Sequence, residues 1–276
     1  EDKILYLTYS AIVKQGTSLS GNGKHFFEVT QKEHVTDNIV RITVKSATPL
    51  PKYYPGYAYA FLLKNIEQLP KKAEDKQGLG KRLFDRTFIW LMKHLSSKNR
   101  QKLLKNANKD VRLYTLRKSW KSTPEAEFED MGHIDIFKHG GTAGSQWADA
   151  LRAGDIIMSR SKAEDKHLHL ASGHSVLIAD ETAFPALAGI LEHWKNPLPP
   201  CVILITAAQA EQNYFSADML PEGATLHRIV CPAEAQADQV LEQLNALETI
   251  DAVWAALESE MAKKIRHYLR NTRQVI

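Results

Sequence analysis

The chain is poor in cysteine: Cys201 and Cys231 are its only two among 276 residues, and neither belongs to a CxxC pair. A cysteine-held iron–sulfur cluster usually takes four thiolates, so the chain is expected to carry none of its own. Both cysteines adjoin apolar residues, in CVILIT and after Ile229-Val230. That setting suits small buried hydrophobes in a reducing compartment. No run of 18 apolar residues occurs, which argues against a membrane-spanning helix. The opening EDKILYLTYS lacks a basic region followed by a long apolar stretch, so it does not read as a secretory signal. Internal repeats and low-complexity tracts are also absent. A soluble, cytoplasmic protein is the expectation, with no metal site of its own.

What is present is length for two domains and a lopsided charge. The net charge is +4, yet Lys64 to Lys121 holds 17 Lys or Arg against 5 Asp or Glu, which leaves the rest of the chain acidic. Such asymmetry fits an anionic partner: nucleic acid, an anionic chelate, a dinucleotide phosphate or an acidic protein. On charge alone, a solvated helical face is the better reading.

Residues 26–64 read as strands. HFFEVTQKEHV, NIVRITVKSA and YAYAFLLK are rich in β-branched and aromatic residues, with Pro51, Pro55 and Gly56 as punctuation. Residues 65–109 break this pattern with a polar tract and apolar residues at helical spacing, which predicts a helical insertion. Strand patterns return in DVRLYTLR, GHIDIFKHG and IIMSR, with a short helix expected in QWADALRAGD. The KHLHL stretch puts His167 and His169 on one face of an ordinary strand; a two-histidine metal site lacks a further ligand nearby. From Gly173 onward, SVLIAD, CVILITA and TLHRIV alternate with helical stretches ETAFPALAGILEHW, QADQVLEQLNALE and DAVWAALESEMAKKIRHYLRN. Strand–helix alternation predicts a parallel sheet. The expected fold is an antiparallel β-barrel with a helical insertion over 65–109, then an α/β domain. The domains are placed at 1–172 and 173–276.

Two motifs carry chemistry. In RLYTLR, Arg112 can pair with a phosphate, Tyr114 can stack on a planar ring, and Thr115 can bond the ring's edge. Read alone, it fits an ordinary barrel strand better. In Asp135–Asp155, Gly140, Gly141 and Gly144 permit close backbone approach. Ser145 is expected to cap a helix beginning at Gln146 or Trp147, whose free amides attract phosphate. Read alone, this stretch equally fits a turn that only caps a helix. Asn213, Tyr214 and Phe215 follow a strand where cofactor loops often lie, and a plain loop fits them as well.

Together the motifs resemble the siderophore-interacting protein family, the ferric-siderophore reductases of the ferredoxin-reductase-like superfamily. The family's R-x-Y-T-x-R strand corresponds to Arg112, Tyr114, Thr115 and Arg117. Its H-G-x-x-G-P-A-S-x-W-A stretch corresponds to His139, Gly140, Gly144, Ser145, Trp147 and Ala148, although this chain reads GTAGS where the family has G-P-A-S. The family's G-D-E-T-A-x-P-A appears as Ala179 to Ala186, and its W-x-A-G-E as Trp254 to Glu258 with Leu257 in place of Gly. The resemblance implies FAD bound by Arg112, Leu113, Tyr114, Thr115, Asp135, His139, Gly140, Gly144, Ser145, Trp147, Ala148, Asp180, Thr182 and Ala183. It implies electron transfer by the flavin without a catalytic side chain, NADPH or NADH as donor, and a ferric siderophore as substrate. It also places a chelate-binding basic group on the last helix, at Lys263, Lys264 and Arg266; charges that simply favour a helix C-terminus fit there equally well. The basic insertion and Leu257 leave a ferredoxin open as donor. A binding protein that carries the chelate without turnover is the alternative. A nucleic-acid module leaves both motifs unexplained, so no nucleic-acid partner is expected.

Overall fold

The computed structural model describes residues 25–47, 50, 55–56, 58–66, 111–162 and 167–275. Apart from residues 65 and 66, the expected helical insertion lies outside the described residues, as does most of the basic stretch. Among the described residues, no helix is long and apolar enough to cross a membrane, and no cluster of His, Cys, Asp or Glu is placed to hold a metal ion.

Six strands form a closed barrel: β1 (His25–His34), β2 (Ile39–Lys45), β3 (Ala58–Ile66), β4 (Val111–Trp120), β5 (Met131–Phe137) and β6 (Ile156–Lys162). Their order is β1-β2-β5-β4-β3-β6, every pairing is antiparallel, and β6 closes the ring by pairing with both β1 and β3. Closure leaves no strand edge unpaired. The alternating apolar residues of these strands fill the interior with Phe27, Ile42, Phe61, Leu116, Ile134 and Ile157. Helix α1 (Ala143–Ala150) plugs it with Trp147 and Ala148.

Four parallel strands follow: β7 (Ser175–Asp180), β8 (Cys201–Thr206), β9 (Thr225–Val230) and β10 (Ala252–Ala256), in the order β10-β7-β8-β9. Their runs are apolar because helices cover both faces. Helix α2 (Phe184–Glu192) lies on one side, with Phe184 and Leu187 against Leu177 and Leu204. Helices α3 (Ala233–Ala246) and α4 (Ser259–Asn271) lie on the other, with Val240, Leu244 and Ile265 against Ile178 and Ile203. Cys201 opens β8 and Cys231 follows the far end of β9; both are free thiols.

Two elements differ from the sequence reading. AVWAA, assigned to the last helix, is strand β10. Its alanines suit a helix locally, but the segment pairs residue for residue with β7, and the helix starts only at Ser259. Tertiary pairing overrides a weak local preference. The KHLHL stretch is a single 3-10 turn over Leu168–Leu170, entered through His167 in the left-handed region at φ 47°, so the two histidines share no strand face.

Candidate functional site

Strand β4, strand β5, the loop into α1 and the turn after β7 converge on a cleft of about 390 Å³. That lies within the ~300–1,000 Å³ usual for small-molecule sites. Its walls are Arg112, Leu113, Tyr114 and Thr115 from β4, Asp135 and Phe137 from β5, His139, Thr142, Gly144 and Ser145 from the loop and α1, and Thr182 from beyond β7. Nine of the fourteen residues expected at a cofactor thus share one cleft. Four are consecutive on β4, so strand alternation does not sort them. Thr115, Leu116 and Arg117 are all buried because the barrel core lies on one side of β4 and the α/β domain on the other.

Tyr114 is stacked on Trp147, with centroids 5.9 Å apart and planes inclined by 8°. Its hydroxyl rests on Gly144, where a β-carbon would overlap it. The cap of α1 is Thr142 rather than Ser145, and the helix begins at Ala143. Thr142 Oγ1 accepts from Ser145 N–H, so a threonine just ahead of the helix supplies the cap. Ser145 instead ties the loop together: its Oγ accepts from His139 N–H at 3.0 Å and lies 2.9 Å from Thr142 Oγ1. His139 stacks on Phe137 at 5.8 Å. Phe137 and Thr142 are cleft residues that the motifs did not single out.

The other five expected residues stand behind or beside the cleft. Trp147 and Ala148 face the barrel core. Gly140 makes the turn before α1 at φ 55°. Ala183 is buried in the sheet domain's core. The Asp180 carboxylate folds back on its own turn and accepts from Thr182 N–H at 3.0 Å and Thr182 Oγ1 at 2.5 Å. Burial pushes its pKa up, against these bonds and one from the Glu258 amide. Asp180 therefore orients Thr182 toward the cleft.

Asp135 is held from both domains. Arg41 grips its carboxylate in a fork, Nε to Oδ1 at 2.8 Å and Nη2 to Oδ2 at 2.7 Å. Tyr214, from the 3-10 turn Gln209–Tyr214 after β8, donates its hydroxyl to Oδ2 at 2.7 Å. The Asp135 bond keeps Arg41 charged despite burial, and burial first, then the Asp135 charge, drives the Tyr214 phenol well above its ordinary pKa. A second fork joins Arg117 to Glu192 of α2 at 2.8 and 2.6 Å. Burial works against the Arg117 charge, but Glu192 and Tyr214 more than offset it.

Helix α4 is amphipathic. Met261, Ile265 and Leu269 are buried, while Lys263, Lys264, Arg266, His267 and Arg270 are exposed. Lys263 pairs with Glu260. None of these basic residues lines the cleft. The helix is capped by Glu258, whose carboxylate accepts from the amides of Glu260 and Met261 and whose own N–H bonds Asp180, so α4 departs from beside the Thr182 turn.

Residues 172–276 match the family model described as Siderophore-interacting protein. The match covers the α/β part of the chain. Solved structures similar to the chain include the siderophore-interacting protein from Acinetobacter baumannii, 20% identical, TM-score 0.62, with 92% of this chain and 86% of that one covered. The siderophore-interacting protein SipS from Aeromonas hydrophila is 18% identical, TM-score 0.62, with coverage of 92% and 88%. Phthalate dioxygenase reductase, whose structure is described as modular for electron transfer from pyridine nucleotides to [2Fe-2S], is 10% identical, TM-score 0.54, with coverage of 93% and 67%. No curated protein matches the chain in sequence. The chain shares with these neighbours the fold of an antiparallel barrel followed by a parallel α/β sheet, and the siderophore-interacting resemblance in the sequence recurs in the family match and in the first two of them.

Proposed function

We propose that the chain is an FAD-dependent oxidoreductase that reduces Fe(III) in a ferric siderophore to Fe(II), releasing iron inside the cell. Residues 1–172 form the cofactor domain and 173–276 the donor domain. The observation that carries this reading is the gathering of both motifs, Arg112–Thr115 and His139–Ser145, around one cleft with an aromatic wall.

The residues present fit an isoalloxazine with a diphosphate tail. Tyr114, backed by Trp147, offers a flat face, and Thr115 a hydrogen bond to a ring edge. Gly144 makes room for the Tyr114 hydroxyl and so sets that ring's place, the capped start of α1 presents amides, and Arg112 supplies a phosphate partner. Gly140 shapes this loop, and Ala183 secures the turn that carries Thr182. FAD bound there would accept two electrons and deliver them singly. Hydroxamate or catecholate oxygens hold Fe(III) tightly and Fe(II) weakly, so one electron loosens the metal. The exposed Lys263, Lys264 and Arg266 raise the encounter rate of an anionic chelate. NADPH, NADH or a ferredoxin supplies the electrons.

The test is anaerobic. The protein is loaded with FAD, reduced by NADPH, NADH or reduced ferredoxin, and mixed with a ferric siderophore plus a ferrous trap. Bleaching by one donor, then return of the yellow colour with one trapped Fe(II) per electron, supports the reading. Reoxidation no faster than that of free reduced FAD would sink it.

A further inference from the structure

Tyr214 is the one α/β-domain hydroxyl among the described residues that bonds a carboxylate in the cleft wall, through Asp135 Oδ2 at 2.7 Å. The turn that carries it is fastened to the barrel a second time. Glu211 accepts from Thr36 Oγ1 at 2.5 Å, from Asn38 N–H at 3.0 Å and from Asn38 Nδ2 at 2.9 Å. The same turn is secured from its own domain by Arg228, which donates to the Gln212 carbonyl at 2.5 Å and the Phe215 carbonyl at 2.9 Å. The Tyr214 ring is wedged between Phe184 and Phe215, with centroids 5.7 and 5.3 Å away. Its hydroxyl therefore has little freedom of aim.

We propose that Tyr214 is a positioning residue for the barrel's cleft: it backs the Arg41–Asp135 fork from across the domain seam, so that seating of the α/β domain and binding of the cofactor in the cleft are thermodynamically coupled. The inference rests on the FAD reading above. Arg41 holds both carboxylate oxygens from the barrel side. Tyr214 adds a second donor to Oδ2 from the α/β domain, so the carboxylate's position in the cleft wall is shared between the two domains. A group that orders the cleft wall then also tightens the seam, because coupling between two equilibria is reciprocal. The Arg117–Glu192 fork crosses the same seam and lines the cleft with neither partner, and only its Arg117 end also meets the Tyr214 hydroxyl. Its Glu192 end is the internal control.

The experiment compares full-length wild type, Tyr214→Phe, Asp135→Asn, their double variant and Glu192→Gln. FAD affinity is measured by fluorescence quenching, and the visible circular dichroism of the bound flavin reports its surroundings. Tyr214→Phe keeps the ring packing and removes one hydroxyl. The expected result is a roughly five- to tenfold weaker FAD complex with an altered dichroism, on the scale of one ordinary net hydrogen bond. The double variant should bind no more weakly than the worse single variant, because the two residues act as a unit. Glu192→Gln should lower thermal stability while changing FAD affinity less than twofold. Wild-type affinity and dichroism in Tyr214→Phe, or strictly additive losses in the double variant, would overturn the coupling and leave the FAD assignment intact. A wild-type protein that binds no FAD would overturn both.

Discussion

A β-carbon on Gly144 would overlap the hydroxyl of Tyr114, whose ring is already stacked on Trp147. The tyrosine is thus held from behind by an indole and capped at its tip by a bare backbone. Gly144→Ala should destabilise the protein by about 1–3 kcal/mol, the usual range for overpacking. Removing the tyrosine hydroxyl leaves Tyr114 Cζ at 3.7 Å and Arg112 Cγ at 3.8 Å from the new carbon, which are ordinary contacts. In a Tyr114→Phe background the same substitution should therefore cost below about 0.5 kcal/mol. Urea unfolding of the four proteins measures the cycle, and equal costs in both backgrounds would refute the clash.

Arg117 is almost wholly buried, while its partner Glu192 keeps a 30% exposed side chain. Glu192→Ala should cost about 2–3 kcal/mol, because it strands a buried guanidinium without its carboxylate. A paired Arg117→Leu and Glu192→Leu replacement should recover most of that loss. Arg117's hydrogen bond holds the Glu192 carboxyl below its ordinary range. The pair's contribution is therefore complete above the unfolded carboxyl's pKa and fades as pH falls through the folded value. Denaturant unfolding against pH, wild type beside the double Leu variant, isolates it.

His133 sits edge-on to Trp120, 4.5 Å between centroids, on the barrel's β5. Burial, helped by the nearby Arg41 charge, lowers its pKa from 6.5 to about 4. The folded state therefore refuses a proton that the unfolded chain accepts. Stability should fall as pH drops from about 6.5 to about 4 and lose nothing further to this group below that. In His133→Gln the slope over this window should be shallower. An unchanged slope would show the imidazole to be free to ionise in the folded protein.

The basic face of α4 makes a prediction about rate. Replacing Lys263, Lys264 and Arg266 together by Glu should slow reoxidation of the reduced protein by a tris-catecholate ferric chelate by about tenfold or more at low salt, since steering acts on charge. An uncharged ferric chelate should be affected little. Equal slowing of both would point to damage elsewhere.

Much of the site was legible because its residues are local in sequence. RLYTLR and the His139–Trp147 stretch each place several cleft residues within a few positions, and apolar periodicity separated the antiparallel strands from the parallel ones. What the sequence hid depends on distant partners. AVWAA reads as helix until β7 is beside it. Tyr214 reads as a loop residue until Asp135, 79 positions away, receives its hydroxyl. Thr142 was readable as a cap but was outweighed by the glycines and serine around it. Asp180 and Trp147 belong to the motifs that carry the family resemblance, yet they stand behind the cleft rather than line it.

The account turns on whether the cleft between Tyr114 and Thr182 holds FAD. Titrating FAD into the purified apoprotein, followed by flavin fluorescence and the visible spectrum, tests this most directly. A saturable one-to-one yellow complex in the wild type, weakened at least tenfold by Arg112→Ala and by Gly144→Ala, is the predicted result. A colourless protein with no saturation, or one whose flavin affinity ignores both substitutions, would contradict it.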